Sequence, residues 1–216
     1  MTPPWISADV FLFDVEGTLV DAVMPTLRCW REILLGFGQD VPLEALQRLS
    51  GLDGKLMLAR LLPGVSAAER DSMIKQHGER YRREYLPQVQ PFPGVRPLFE
   101  QLRQHGRAIG LATDCQNDEL RHYLDITGVG DLVDGFACGD DVDCGKPAPD
   151  IIRLALDRVD AATRPAVMIG DTVFDAQAAR NAGIACVGVL TGHIAEDALR
   201  AAGCEAVLPD VTALRR

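Results

Sequence analysis

The segment FLFDVEGTLVD, from Phe11 to Asp21, joins an apolar strand pattern to an abrupt polar stop. The strand pattern ends at Asp14, and Gly17 follows in a Gly-Thr turn. Ligands of open α/β sheets bind at the carboxyl ends of strands, where a glycine lets backbone N–H groups turn towards an anion. From this segment alone, Asp14 fits a nucleophile and a residue that caps a strand-to-loop junction about equally well.

Further short apolar runs rich in β-branched residues recur along the chain and alternate with helical patterns. This alternation is typical of βαβ units on a mostly parallel sheet. It predicts an α/β fold with a Rossmann-like, doubly wound parallel sheet. The predicted strands are Val10–Phe13, Ala108–Ala112, Gly135–Cys138, Ala166–Ile169, Ala185–Val189 and Ala206–Leu208.

The stretch from about Val20 to about Pro91 lacks strand patterns and predicts an all-helical insertion. Ser66 and Glu69 have capping-box spacing and open a long polar helix that we expect to run to about Tyr85. We therefore expect a core domain built from residues 1–20 and 92–216, interrupted by a helical domain at residues 21–91.

Composition narrows the class of protein. With 47% hydrophobic and 25% charged residues among 216, the chain has ordinary globular composition and enough apolar material for a buried sheet. The formal charge of -9 gives no general attraction for nucleic acid or an anionic membrane. The six cysteines form no C-x-x-C pair, and the N-terminal sequence shows neither a signal peptide nor an anchor. A cytoplasmic location with reduced thiols is the expectation.

Polar residues that can carry chemistry follow four of the predicted strands. They occur in FDVEGT with Asp14, GLATD with Thr113, CGKPAPD with Lys146, and MIGDTVFD with Asp171 and Asp175. In a doubly wound sheet these strand ends converge on one crevice. A carboxylate nucleophile, a hydroxyl, a cation and acidic metal ligands are what phosphoryl transfer needs. Taken singly, Lys146 also fits a solvated loop residue, and Thr113 and Asp175 fit helix-start residues.

The order and wording of these four segments resemble the haloacid dehalogenase superfamily, specifically its phosphoglycolate-phosphatase-like members with an inserted helical cap. The resemblance covers nearly the whole chain, with GKPAPD and GDTVFDAQAARNAG closest to the family pattern. It implies a Mg²⁺-dependent phosphatase, monomeric or homodimeric, that hydrolyses a small phosphorylated metabolite such as a phosphoglycolate-like compound or a sugar phosphate. An aspartyl-phosphate would form on Asp14.

The resemblance also implies a role for each site residue. Asp14, the backbone carbonyl of Glu16 and Asp171 would bind Mg²⁺, with Asp175 as a supporting residue. The phosphoryl oxygens would be held by the side chains of Thr113 and Lys146 and by backbone N–H groups around Glu16, Gly17 and Asp114. The cap would close over the site, and its expected contacts with the rest of the substrate are Gly51, Lys55 and Arg48.

Two positions depart from the family pattern. Most phosphatases of this superfamily have Asp where this chain has Glu16, serving first as general acid and then as base. Glu has a similar unperturbed pKa, but its extra methylene moves the carboxyl by about an ångström, which can cost about a hundredfold in rate. Enolase-phosphatases of the superfamily also carry Glu there. Asp114, where many relatives have Asn or Ser, is unfavourable beside a phosphate unless turned away or paired.

Other reactions on the same fold stay open. A dehalogenase would usually carry Tyr at the Glu16 position, and a phosphonatase would need a cap lysine, for which Lys55 is a candidate. A phosphomutase has the same motifs as a phosphatase. Finally, Glu16 and Asp114 are the reason for a further hypothesis, in which the protein binds a phosphorylated ligand with little turnover.

Overall fold

The computed structural model describes residues 4–161 and 163–215, and a parallel sheet lies at the centre of this part of the chain. The order of its strands is β3-β2-β1-β4-β5-β6. The first half therefore grows outward from β1, and the second grows in the other direction from β4, which confirms the doubly wound α/β fold. The strands are β1 (Val10–Phe13), β2 (Ala108–Ala112), β3 (Gly135–Ala137), β4 (Ala166–Gly170), β5 (Ala185–Val189) and β6 (Ala206–Leu208).

Two of the predicted strand ends need correction by one residue. β3 ends at Ala137 rather than Cys138, because the Cys138 N–H donates to the Asp141 carboxylate at 2.9 Å instead of continuing the strand. β4 continues to Gly170, which pairs with Gly188 of β5.

Helices connect the strands and fill the predicted insertion. They are α1 (Val23–Gly36), α2 (Leu43–Gln47), α3 (Gly54–Leu61), α4 (Ala67–Arg80), α5 (Val95–Gln104), α6 (Asn117–Thr127), α7 (Asp150–Arg158), α8 (Val173–Ala182) and α9 (Glu196–Ala202). Ser66 caps α4 through the expected reciprocal bonds with Glu69. The long helix predicted to reach Tyr85 is α4 followed by one turn of π-helix, Tyr81–Tyr85.

The sheet is buried on both faces, which explains why its strands are continuous apolar runs. Phe11 and Phe13 of β1 lie in one hydrophobic cluster, and Val10 and Leu12 lie in the other. The first cluster extends into the inserted helices, whereas the second contains side chains of α7, α8 and α9. One face of the sheet is thus continuous with the packing of the insertion.

Two connecting segments link the helical segment, residues 21–91, to the sheet region, and they lie side by side. Val20 forms an antiparallel bridge with Pro91. The Asp21 N–H donates to the Gln90 carbonyl at 2.9 Å, and the Phe92 N–H donates to the Leu19 carbonyl at 2.9 Å. These bonds join the two connections at the place where the sequence predicts a domain boundary.

Two further features concern the described part of the chain. It contains no helix long and apolar enough to cross a membrane. Its six cysteines are free thiols, buried except for Cys144.

Candidate active site

The candidate site lies where the winding direction of the sheet reverses. β1 pairs with β2 on one side and β4 on the other, in a register that aligns Phe13 with Leu111 and Ile169. The Asp14 N–H donates to the Ile169 carbonyl at 2.9 Å, which fixes Asp14 beside the end of β4. Asp171 follows that end, so two carboxylates come from adjacent strands at the position where open α/β sheets bind ligands.

Lys146 joins the carboxylates into one cluster. Its ammonium group donates to Asp14 Oδ1 at 2.8 Å, to Asp175 Oδ1 at 2.7 Å and to the Ala112 carbonyl at 3.3 Å. All three charged side chains are buried. A buried ion pair is stable only with good geometry and further hydrogen bonds, and Asp175 has them, since its Oδ2 accepts from the Thr172 N–H and hydroxyl.

Oxygen atoms of Asp14, Asp171 and Asp175 lie within 4.8 Å of one another. Thr18 donates to Asp171 Oδ1 at 2.9 Å, whereas Asp171 Oδ2 is buried without a hydrogen-bond partner. Burial and the neighbouring carboxylates raise the pKa of Asp171 well above its usual range, and burial raises that of Asp14 to about 6 despite Lys146. Three carboxylates therefore share one cation, Lys146, and Asp171 Oδ2 has no partner at all. This arrangement suits a hard divalent ion such as Mg²⁺, which prefers oxygen ligands.

Gly17 allows the chain to turn past this cluster. Its φ is +80°, a left-handed conformation that side chains other than glycine rarely adopt, and a Cβ atom there would collide with Asp171 Oδ2. Thr191 donates a hydrogen bond to the Gly17 carbonyl and holds the turn from the opposite side. The Gly-Thr turn of the opening motif is therefore required by the close approach of β1 and β4.

Glu16 points into a hydrogen-bonded chain of tyrosines. Tyr123 on α6 donates to Glu16 Oε1 at 2.6 Å, and the Tyr81 hydroxyl lies 2.8 Å from the Tyr123 hydroxyl. Burial, reinforced by the charge of Glu119, raises the pKa of Glu16 to about 8, although the bond from Tyr123 opposes this shift. Tyr123 thus fixes one carboxyl oxygen of Glu16, and burial favours the protonated form of this carboxyl.

Asp114 has a backbone partner. Its carboxylate accepts hydrogen bonds from the Lys146 N–H, at 3.1 and 3.3 Å, and packs closely against Gly145. Burial raises the pKa of Asp114 to about 7, with Lys146 opposing the shift. The side chain therefore ties the loop that carries Lys146 to the end of β2.

A cavity of about 210 Å³ lies above the cluster. The sheet side contributes Asp14, Glu16, Thr113, Lys146 and Asp171, and the helical segment supplies much of the rest of the wall. Gly51, with φ +81°, brings that segment against Thr172 so closely that a Cβ atom would collide. The reactive groups thus lie at the base of a cavity that the sheet and the insertion form together.

Residues 11–189 match the sequence profile of the haloacid dehalogenase-like hydrolase family. This match spans most of the chain. The chain belongs to that family.

Known proteins resemble this haloacid dehalogenase-like hydrolase over nearly its whole length. Validoxylamine A 7'-phosphate phosphatase of Streptomyces hygroscopicus subsp. limoneus is 26% identical, with 95% of each chain covered. Phosphoglycolate phosphatase of Pseudomonas putida is 26% identical, and the alignment covers 94% of this chain and 77% of the relative. The crystal structure of a hydrolase from Pseudomonas syringae has a TM-score of 0.88 at 28% identity, with 95% of each chain covered.

The structure of this haloacid dehalogenase-like hydrolase places most predicted site residues together. The residues that line the cavity are Asp14, Glu16, Thr113, Asp114, Lys146, Asp171 and Gly51. Gly17 packs against Asp171, and Asp175 belongs to the carboxylate cluster, but neither residue lines the cavity. Lys55 and Arg48 are exposed and do not line the cavity.

Four residues of the site carried no recognised sequence signal: Tyr81, His77, Glu119 and Tyr123. Glu119 and Tyr123 are spaced four apart and both are buried on α6. A buried acid and a tyrosine on one helical face suggest a polar pair, but their link to Glu16 depends on tertiary packing.

Proposed function

We propose that the chain is a Mg²⁺-dependent phosphatase of small phosphorylated metabolites that works through an aspartyl-phosphate on Asp14. One observation carries the proposal. Asp14 lies at the end of β1 in direct contact with Lys146, and its oxygens share a 4.8 Å cluster with those of Asp171 and Asp175 at the base of a cavity.

The family match and the phosphatases among the relatives identify the chain as a phosphoric monoester hydrolase. The named relatives act on validoxylamine A 7'-phosphate and on phosphoglycolate, both of which are phosphorylated small molecules. These names support a metabolite phosphatase. The two substrates share a phosphate group and differ in the rest of the molecule.

In the first step, an oxygen of Asp14 attacks the phosphorus atom, and the bond from phosphorus to the leaving oxygen breaks. Lys146 holds Asp14 in position and, with Thr113, offsets the charge of the transferring phosphoryl group. A bound Mg²⁺ would be held by Asp14, Asp171 and the Glu16 carbonyl, and would supply positive charge against the repulsion between carboxylate and phosphate.

Glu16 moves the proton in both steps. Its carboxyl donates a proton to the leaving oxygen as the ester bond breaks, which releases an alcohol. The resulting carboxylate then accepts a proton from water as that water attacks the phosphorus of the aspartyl-phosphate. Phosphate leaves, Asp14 is regenerated and Glu16 is protonated again, so the cycle is balanced without any further reactant.

The alternative chemistries receive less support. A phosphonatase needs a lysine near the substrate, whereas Lys55 is exposed and outside the cavity lining. A phosphomutase shares the aspartyl-phosphate and differs in what accepts the phosphoryl group, so product analysis separates it from a phosphatase. A weakly active ligand binder would show saturable binding with little turnover.

The test is phosphate release from a panel of organic-acid, sugar and alcohol phosphates, with Mg²⁺ or EDTA present. We expect release only with Mg²⁺, none from Asp14→Asn, and an acid-stable phosphate label on Asp14 after rapid quenching. The variant's melting temperature establishes that it is folded. Equal release by Asp14→Asn would contradict the nucleophile, and release in EDTA would contradict the need for the metal.

A further inference from the structure

The part of the cavity wall that comes from the helical segment is largely apolar and aromatic. Among the described residues, Lys146 is the sole lysine or arginine that lines the cavity, and it is already paired with Asp14 and Asp175. The apolar wall includes Val23, Leu27, Trp30, Met57, Ile74 and Tyr81. The positive charge of the cavity therefore lies where the phosphate of a substrate would bind, and the rest of the substrate would contact apolar surface.

His77, which also lines the cavity, does not supply a second positive charge. Its ring stacks on Trp30 at a centroid distance of 3.9 Å and lies 5.8 Å from the ring of Tyr81. Its Nε2 lies 3.4 Å from the Thr26 carbonyl, and burial lowers its pKa to about 4. At neutral pH the imidazole is uncharged and forms part of an aromatic wall.

The nearby Arg82 is held by other residues. Its guanidinium donates to Gln116 Oε1 at 2.6 Å and lies 3.7 Å from Glu119. Gln116 and Glu119 themselves line the cavity, but Arg82 does not. Reaching a ligand would break both contacts and leave Glu119 without its cation.

Additional carboxylates beyond the catalytic cluster make the cavity unfavourable for a second anion. Glu119 lies on the sheet side, and Asp53 lies in the helical segment, where its Oδ1 accepts from the Lys55 and Leu56 N–H groups and caps α3. A second carboxylate or phosphate on the substrate would face these groups with no cation to pair with. Unpaired like charge in a desolvated site is strongly disfavoured.

We propose that the cavity selects phosphate monoesters whose leaving group is uncharged and has an apolar or aromatic face, and discriminates against monoesters that carry a second anionic group. This specificity rests on the proposed phosphatase function and narrows its substrate class. Phosphoglycolate, with its carboxylate, falls in the disfavoured group. The volume of the cavity, about 210 Å³, is below the usual volume of ligand pockets and favours a compact leaving group.

Three compounds test the two parts of the proposal. Phosphoglycolate and 2-hydroxyethyl phosphate have the same length and differ in the carboxylate, and benzyl phosphate adds an uncharged ring. We expect kcat/KM to rise in the order phosphoglycolate, 2-hydroxyethyl phosphate, benzyl phosphate, by about tenfold or more at each step. Equal or faster hydrolysis of phosphoglycolate would overturn the charge discrimination, and no gain from the ring would overturn the apolar selection.

Binding separates this specificity from turnover. Asp14→Asn changes the base of the cavity but none of the wall residues that come from the helical segment. Because every compound carries the same phosphate group, the differences in Kd among the compounds in the presence of Mg²⁺ report the wall. We expect the same order of affinities. If no compound is hydrolysed while the order of affinities holds, the phosphatase function fails and the selectivity stands. If phosphate is released and the order is reversed in both assays, the selectivity fails and the phosphatase function stands.

A charge added to the wall gives an independent test. Ile74 lines the cavity from α4, and Gln76 on the same helix is exposed and outside the lining. We expect Ile74→Lys to raise the ratio of kcat/KM for phosphoglycolate over benzyl phosphate by about tenfold or more, and Gln76→Lys to leave it unchanged. Circular dichroism verifies that both variants are folded. An unchanged ratio in folded Ile74→Lys would contradict the proposal.

Discussion

The Tyr123 hydroxyl donates a hydrogen bond of 2.6 Å to Oε1 of Glu16, and the Tyr81 hydroxyl lies 2.8 Å behind it. This chain of hydroxyls connects α6 and the π-helical turn to the proposed acid. The shorter side chain of aspartate, with its backbone in the same place, would end about an ångström or more short of Tyr123. The position of Tyr123 therefore suits glutamate, and the departure from the family pattern has a structural partner.

We predict that Glu16→Asp lowers activity. The shorter acid loses its bond to Tyr123 and moves away from the leaving oxygen, and a displacement of that size costs about a hundredfold in rate. Steady-state kinetics on the best substrate of the panel should show the loss mainly in kcat. A large gain in kcat would instead mean that glutamate impairs the natural enzyme.

We predict that Tyr123→Phe lowers kcat by about tenfold with a smaller effect on KM, because removing one hydrogen bond to a charged or reacting group costs about 1.5 kcal/mol. Tyr81→Phe is the matched control, since it removes a buried hydroxyl that bonds to Tyr123 but not to Glu16. Its effect on kcat should be smaller. If Tyr123 acts by positioning Glu16, Tyr123→Phe should add little further loss to Glu16→Asp.

The strands and the helical insertion could be predicted from sequence because their signals are local. The β1 pattern, the capping box at Ser66 and the glycine after Asp14 each reflect the energetics of a few neighbouring residues. The ends of strands depend on contacts that are less local. At Cys138 the N–H that would otherwise continue the strand donates to the side chain of Asp141. The apolar pattern of the strand gives no sign of this hydrogen bond.

Some residues of the site could likewise be predicted from local signals, and others could not. Asp14, Thr113 and Asp171 follow strands, and the topology of a parallel sheet brings strand ends together whatever the details of packing. Tyr123 and His77 lie within helices and have the spacing of ordinary core residues. Their role depends on which helix face meets Glu16 and Trp30, and that is decided by the packing of whole elements.

We predict that the carboxylate cluster destabilises the metal-free protein and that Mg²⁺ relieves this. Asp171 is buried with one oxygen lacking a partner, so Asp171→Asn should raise the melting temperature in EDTA by a few degrees, corresponding to about 1 kcal/mol. The same variant should lose the rise in melting temperature that Mg²⁺ produces in the natural protein. The control is Asp71→Asn on the exposed face of α4, which should behave like the natural protein. A full response of Asp171→Asn to Mg²⁺ would contradict this assignment.

His77 should make stability depend on pH in a defined direction. Burial is the main cause of its lowered pKa, and Arg82 adds to it while the Thr26 carbonyl opposes it. The unfolded chain binds a proton to this histidine near pH 6.5, but the folded protein does so only near pH 4. Between these values the unfolded state holds more protons, so the contribution of His77 is complete above about pH 6.5 and is lost as pH falls towards 4.

We therefore predict that lowering the pH from 7.5 to 5 costs the natural protein on the order of 1 to 2 kcal/mol more than it costs His77→Phe, in which an uncharged ring replaces the imidazole. Urea unfolding at both pH values measures the difference, and equal m-values show that the unfolded states are comparable. His105→Phe, at an exposed position after α5, should keep the pH dependence of the natural protein. If His77→Phe shows the same loss as the natural protein, the imidazole is not held neutral against Trp30, and the cavity wall carries a charge at mildly acidic pH.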